Sequence, residues 1–277
     1  MNLVINKSSE KIISAMVKDM PQSALLTGPN GVGLTSISEY IAQLLGVKPV
    51  MILPEKDDKV DLDKGVISVD IMRRLYDDTK TIKTEKQVIV IDYAERMTHQ
   101  AQNAFLKLLE EPGENTYFIL LSHSTAKLLP TILSRVETVN IKPVTPAQTH
   151  KLLDQLGQDD DKKRSQILFM SDGLPAEVCR LVSDEEYFDK RSANVRDARD
   201  LLQGSLYQKL LIAQKYKDDR QQTLQMLTDV INILKKTIKS NPEGSAMAHI
   251  DDVLRAYSRI EANGNIRLTL AAMAVSH

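Results

Sequence analysis

A chain of 277 residues, 42% apolar and 26% charged, has the apolar material for real cores and the length for two or three domains of roughly 100–200 residues each. Its 36 Lys and Arg against 37 Asp and Glu leave a net charge of −1, which excludes a broadly basic nucleic-acid binder, and its 4% aromatics exclude base- or sugar-stacking as the main business. A lone cysteine, Cys179, excludes an internal disulfide and a cysteine-based zinc site, and no apolar run reaches the roughly 18 residues of a membrane span; the expected compartment is cytoplasmic, without membrane contact.

In chain order, residues 8–20 suit a short helix leading into an apolar strand, Ala24–Thr27. A Gly-rich turn follows, and Ile37 to Leu45 has helical spacing. Val50–Leu53 is β-prone, Glu55 to Gly65 is a polar loop, and Ile71 to Tyr76 is helical with Asp70 as its expected N-cap. Gln87–Asp92 is a continuous apolar run ending on a carboxylate, the look of a central parallel strand. Ala101, Ala104, Phe105, Leu108 and Leu109 lie on one face of a helix stopped by Pro112-Gly113, and Tyr117–Leu121 is the next buried strand. A helical turn at Ile132-Leu133 and a strand at Val139–Ile141 complete the alternation, which predicts a doubly wound α/β domain over residues 1–143. Beyond Lys142–Pro146 strand patterns cease. A small helical domain over 144–186 is expected next, with a charged link from Ser183 to Lys190. An all-helical domain over 187–277 follows, with apolar stripes through Leu224–Ile238, Ile250–Tyr257 and Ile266–Met273. Those stripes hold more apolar surface than a small unit easily buries, so part of them is expected to face partners.

The segment from Gly28 to Thr35 spaces its residues as G-x-x-x-x-G-K-[ST] requires, between a strand and a helix. Gly28, Gly31 and Gly33 let backbone N–H groups turn toward phosphate at a helix N-terminus, and Thr35 takes the hydroxyl position. Leu34 stands where the phosphate-binding Lys belongs. Asp92 ends its strand as a Mg²⁺-side carboxylate would, but Tyr93 follows where a water-polarising Glu is needed. Losing a cation and a carboxylate removes two groups each worth several kcal/mol of barrier, which predicts a nucleotide site that is weak or empty and hydrolytically dead. Read alone, the glycines also suit a simple turn, and Asp92 also suits an N-cap.

Four blocks resemble the AAA+ subunits of clamp loaders. Gln102–Pro112 is similar to their N-A-L-L-K-x-L-E-E-P block, Leu128–Arg135 to L-x-x-T-I-x-S-R-C with Val136 at the Cys, Ile67–Leu75 to I-x-V-D-x-I-R-x-L, and Ile260–Leu268 to the N-x-N-x-x-L element of the collar. The resemblance implies an AAA+ P-loop-like parallel-sheet domain, a small helical lid and an all-helical collar for oligomerisation. It also implies membership of a DNA polymerase III holoenzyme, a DNA-directed DNA polymerase complex. Partners would be gamma/tau-like and delta-like clamp-loader subunits, with the sliding clamp and primed DNA met through the assembly. The motor subunits of that family keep the P-loop Lys and the Asp-Glu pair, and this chain keeps neither; Ala176 also replaces their lid Arg, and Ser122-His123 alters their strand-end sensor. The family's zinc module has no counterpart between residues 46 and 66, so no zinc or other metal is expected.

With Ser134 beside it, Arg135 is then expected to act as an arginine finger in trans, on ATP and Mg²⁺ held by a neighbouring subunit. No cofactor is expected to bind this chain tightly. Two alternatives stay open: a divergent active ATPase of the gamma/tau type, with Lys48 or another nearby Lys replacing the missing cation, and a scaffold or adaptor with no trans role. Lys80, Lys83 and Lys86 with Arg73 and Arg74 read as a solvated face, or less simply as a phosphate contact for primer–template DNA.

Overall fold

The computed structural model describes residues 3–62, 64–79, 85–240 and 246–275. The chain divides into two compact units, one comprising residues 1–164 and 171–179 and the other 165–170 and 180–277.

In the first unit, α1 (Lys7–Lys18) precedes β1 (Ser23–Thr27) and α2 (Leu34–Leu44) follows it; β2 (Val50–Ile52), α3 (Val69–Thr79) and β5 (Gln87–Ile91) come next. Between β2 and α3 a two-strand ladder, β3 (Glu55–Lys56) and β4 (Lys59–Val60), occupies the expected loop. The unit continues through α4 (His99–Glu110), β6 (Thr116–Ser122), α5 (Pro130–Leu133), β7 (Glu137–Asn140) and α6 (Pro146–Gln155). The strands form one parallel sheet in the order β2-β5-β6-β1-β7. Both faces are covered, which is why β1, β5 and β6 are apolar at nearly every residue: Leu26, Val88, Val90 and Leu121 join one cluster, Leu25, Ile89, Ile91 and Leu120 the other. Chain order reverses beside β1, so the carboxyl ends of β1, β5 and β6 open at a topological switch point, where ligands of such sheets bind.

Two local expectations are corrected. Asp70 lies inside α3 rather than capping it; Ser68 Oγ accepts the Ile71 amide at 3.4 Å, and Asp70 pairs with Arg73 at 3.2 Å. Arg74 pairs with Glu55 at 3.0 Å; Lys80 and Lys83 lie outside the described residues. The charged stretch after Ser183 is no link, because α9 (Glu185–Gln203) begins there, with Asp184 accepting the Tyr187 amide and two glutamates at the favourable end of the helix dipole.

α7 (Asp161–Ser171) and α8 (Pro175–Ser183) run through both units. The second unit then takes α9, α10 (Leu206–Lys215), α11 (Arg220–Ser240), α12 (Ala246–Glu261) and α13 (Ile266–Val275). Leu227, Val230, Leu234, Val253, Ile260, Ile266, Leu270 and Met273 meet in a single core, so the three stripes mostly bury one another. Arg191 and Asp229 make a buried two-bond ion pair at 2.6 and 2.9 Å that ties α9 to α11. Apolar surface left outside is concentrated instead on α10, where Leu206, Tyr207, Leu210 and Leu211 are exposed, and on α13 at Leu268 and Val275. No helix among the described residues is long and apolar enough to cross a membrane.

Candidate functional site

The loop after β1 is built as a cradle. Gly31 and Gly33 have φ of 87° and 93°, the left-handed region that turns their amides inward without a Cβ penalty. At Gly28 a Cβ would stand 2.7 Å from the Ile141 carbonyl oxygen, so the loop can leave the sheet here only as glycine. Gly33 caps α2 with no side-chain acceptor, which leaves the first amides of the helix available to an anion.

The cradle lacks its charge. Leu34 is 3% exposed and packs in the apolar cluster with Val32, Ile37 and Ile41, so its side chain belongs to the core rather than to the loop's mouth. Lys48 offers no replacement: it precedes β2, and in a parallel sheet that puts it at the amino ends of the strands, away from the cradle. A later stretch of the same chain also closes on the loop. Ala176 donates its amide to the Gly31 carbonyl at 3.1 Å, and Leu174 packs 3.6 Å from where a Gly31 Cβ would be. His123, from the end of β6, has Nδ1 3.0 Å from the Gly28 carbonyl. A carbonyl only accepts, so Nδ1 carries the proton in that contact.

Beside the cradle, Thr35 Oγ1 donates to Asp92 Oδ2 at 3.1 Å, and the Tyr93 amide donates to Oδ1 at 2.9 Å. Burial holds the Asp92 carboxyl above the ordinary carboxylate value; the Thr35 and Tyr93 bonds and His123 offset this only in part, and Glu95 adds to it. Tyr93 sits at φ 52°, strained for a non-glycine residue, with its ring edge-on to His123 at 5.7 Å and under the Arg96 guanidinium at 4.7 Å. Glu95 does not replace the missing water-polarising carboxylate. It stands on the short turn after Tyr93, where Oε1 accepts the His123 amide at 3.3 Å and Oε2 is buried without a hydrogen bond.

Gly28, Gly31, Gly33, Thr35 and Asp92 are therefore brought together, whereas Ser134 and Arg135 are not part of that group. Arg135 follows α5 and precedes β7, whose Glu137 pairs with Ala24 near the amino end of β1. The sheet itself puts roughly 10 Å of strand between that level and Thr27, before the cradle loop is counted. Arg135 keeps 40% of its side chain exposed; Nη1 donates to the Thr131 carbonyl at 3.1 Å and reaches Ser134 Oγ at 3.5 Å, and Nη2 donates to Glu110 at 3.1 Å. With Leu34 buried where the motif places its lysine, the described residues do not fit a tightly held nucleoside triphosphate, and no catalytic step is assigned to that cradle.

Comparison with known proteins adds what the chain is similar to. The family model described as "DNA polymerase III, delta subunit" matches residues 49–145. The DNA polymerase III delta-prime subunit of Bacillus subtilis is 29% identical over 115 residues, covering 42% of this chain and 34% of that one. The delta-prime subunit of Pseudomonas aeruginosa is 30% identical over 186 residues, covering 57% and 54%. The chain resembles the bacterial delta-prime subunits of the clamp-loader AAA+ family. Replication factor C subunit 5 of Mus musculus is 31% identical over 182 residues, covering 62% of this chain and 50% of that one. The chain thus spans about half, or less, of the length of these curated relatives. Among solved structures, a DNA polymerase III gamma subunit-related protein of Thermotoga maritima superposes with a TM-score of 0.53 at 21% identity, over 97% of this chain and 98% of that one. The RuvB Holliday junction branch migration motor of the same organism gives 0.52 at 16% identity, over 87% and 78%. These two likenesses establish the AAA+ fold.

The sequence singled out the cradle residues and Arg135 but not Glu110, the His123 contact with Gly28, or the docking of Leu174 and Ala176. Glu110 sat in a block already noted; a carboxylate in the last turn of a helix, at the unfavourable end of its dipole, is the signal that it has a cationic partner.

Proposed function

We propose that this chain is a non-hydrolysing subunit of a clamp-loader-like assembly, delta-prime-like in role, that lends Arg135 to ATP bound by a neighbour. The observation that carries the proposal is a separation of charge from cradle. The loop that would hold phosphate has a core leucine for its cation, while an exposed arginine stands at the opposite end of the strands, out of reach of that loop. A guanidinium there stays charged and can bridge phosphate oxygens on another chain bidentately. The Mg²⁺–ATP on which it acts belongs to a gamma/tau-like neighbour. Gamma/tau-like and delta-like subunits are its direct partners in this scheme, with the sliding clamp and primed DNA engaged through the whole assembly during replication. Similarity to delta-prime and replication factor C subunits supports the scheme, and so does the exposed apolar surface on α10 and α13, which suits contact with partner subunits. The first test is ATP turnover by the purified chain. It stays at background; robust turnover abolished by Asp92→Ala would overturn the non-hydrolysing half of the proposal.

A further inference from the structure

We infer that Glu110 is the positioning residue for Arg135, an inference that rests on the trans role proposed above. The two are 25 residues apart, and the contact exists because α4 packs on α5. That packing is anchored at the other end of the contact by Gln102, which is 4% exposed. Its Nε2 donates to the Lys127 carbonyl at 3.0 Å, and its Oε1 accepts the Leu129 amide at 2.8 Å. Arg135 therefore projects from a two-helix platform rather than a free loop, the condition under which a long side chain is held to a fixed geometry.

The contacts take only part of the guanidinium. Nη1 is held by the Thr131 carbonyl and Ser134 Oγ, Nη2 by Glu110 Oε1, and Nε has no hydrogen-bond acceptor among the described residues. An arginine has five N–H donors in a planar fan, so Nε–H and one Nη2 hydrogen are left for an incoming oxyanion. Without Glu110 the fan would be fixed at one nitrogen and free to swing about its stem. Glu110 has its own reason to accept the pairing. It closes α4, where the helix dipole disfavours a carboxylate, and a cation there compensates. With side chains 40% and 55% exposed, the pair contributes little to folding, so its loss should be read in positioning and not in stability.

The test uses the assembly reconstituted with this chain and its partner subunits, measured for clamp- and DNA-stimulated ATP turnover. Glu110→Ala lowers kcat three- to ten-fold with KM for ATP within two-fold, and leaves the thermal midpoint and incorporation of the chain unchanged. Glu110→Gln, which keeps an acceptor oxygen at the same reach, recovers most of the loss. Arg135→Ala combined with Glu110→Ala falls no further than Arg135→Ala alone. If Arg135→Ala lowers turnover and Glu110→Ala does not, or raises it, Glu110 is no positioning residue while the trans role stands. Unchanged turnover with Arg135→Ala removes the trans role itself and this inference with it.

Discussion

Leu34→Lys restores the missing residue of the phosphate-binding motif, and it should fail to restore the function. Leu34 is 3% exposed in a close-packed cluster, and full burial of a leucine stabilises by about 1.5–3 kcal/mol. Lysine can keep part of its stem in that cluster, but its ammonium must leave it, and the space vacated beside Val32 and Ile37 adds a cavity cost. Together these give an expected destabilisation of about 2–4 kcal/mol. The new cation would still lack a water-polarising carboxylate at Tyr93, and the Gly31 carbonyl would still be bonded to Ala176. Urea unfolding followed by circular dichroism measures the first effect, and ATP hydrolysis by the purified variant, against the background of the parent chain, measures the second. A variant as stable as its parent that turns ATP over would refute both, and would show the cradle to be one substitution away from a working site.

Two further outcomes follow from the same geometry. Because burial raises the Asp92 carboxyl, the folded state binds its proton more tightly than the unfolded chain does; this residue's contribution to stability is therefore most favourable at low pH and is lost as pH rises from the unfolded value through the folded one. Asp92→Asn should remove that loss, leaving stability at pH 7 equal to or above that of the parent and flattening the acid side of a pH–stability profile; a marked loss at pH 7 would contradict it. On α10, Tyr207 and Leu211 are 71% and 51% exposed and one turn apart on the helix, so Tyr207→Asp with Leu211→Asp should leave helicity intact but reduce co-elution with partner subunits at least ten-fold, read by size-exclusion chromatography.

Much of the first unit was legible because buried parallel strands announce themselves: Gln87–Asp92 and Tyr117–Leu121 are apolar on both faces, and the spacing of Gly28, Gly33 and Thr35 is local. That Leu34 is no cation is plain from its letter; that it lies in the core depends on how α2 packs, which no local pattern states. Arg135 was marked by its block, whereas its pairing with Glu110 joins two helices and is invisible in one dimension. In the second unit the apolar stripes were visible but their mutual burial was not, since a stripe does not say what it faces. For α10 the local signal is the capping box that Ser205 and Gln208 form ahead of it, not a long apolar stripe. The glutamates of α9 suit a linker as well as a helix, because charge in a first helical turn and charge in a loop look alike unless the preceding Asp184 is taken as a cap.

The most direct test of the central claim, that a phosphate on another chain is the target of Arg135, is the ATP turnover of the reconstituted assembly carrying Arg135→Ala. A trans finger contributes on the order of 10³–10⁵ in the best-studied nucleotide hydrolases, and an assembly with several sites loses less because the others continue. Turnover and clamp loading should fall at saturating ATP with assembly intact, and Arg135→Lys should recover little, since a point charge does not reproduce the planar fork. Turnover and loading at the parent rate with Arg135→Ala would contradict the claim and leave a scaffold.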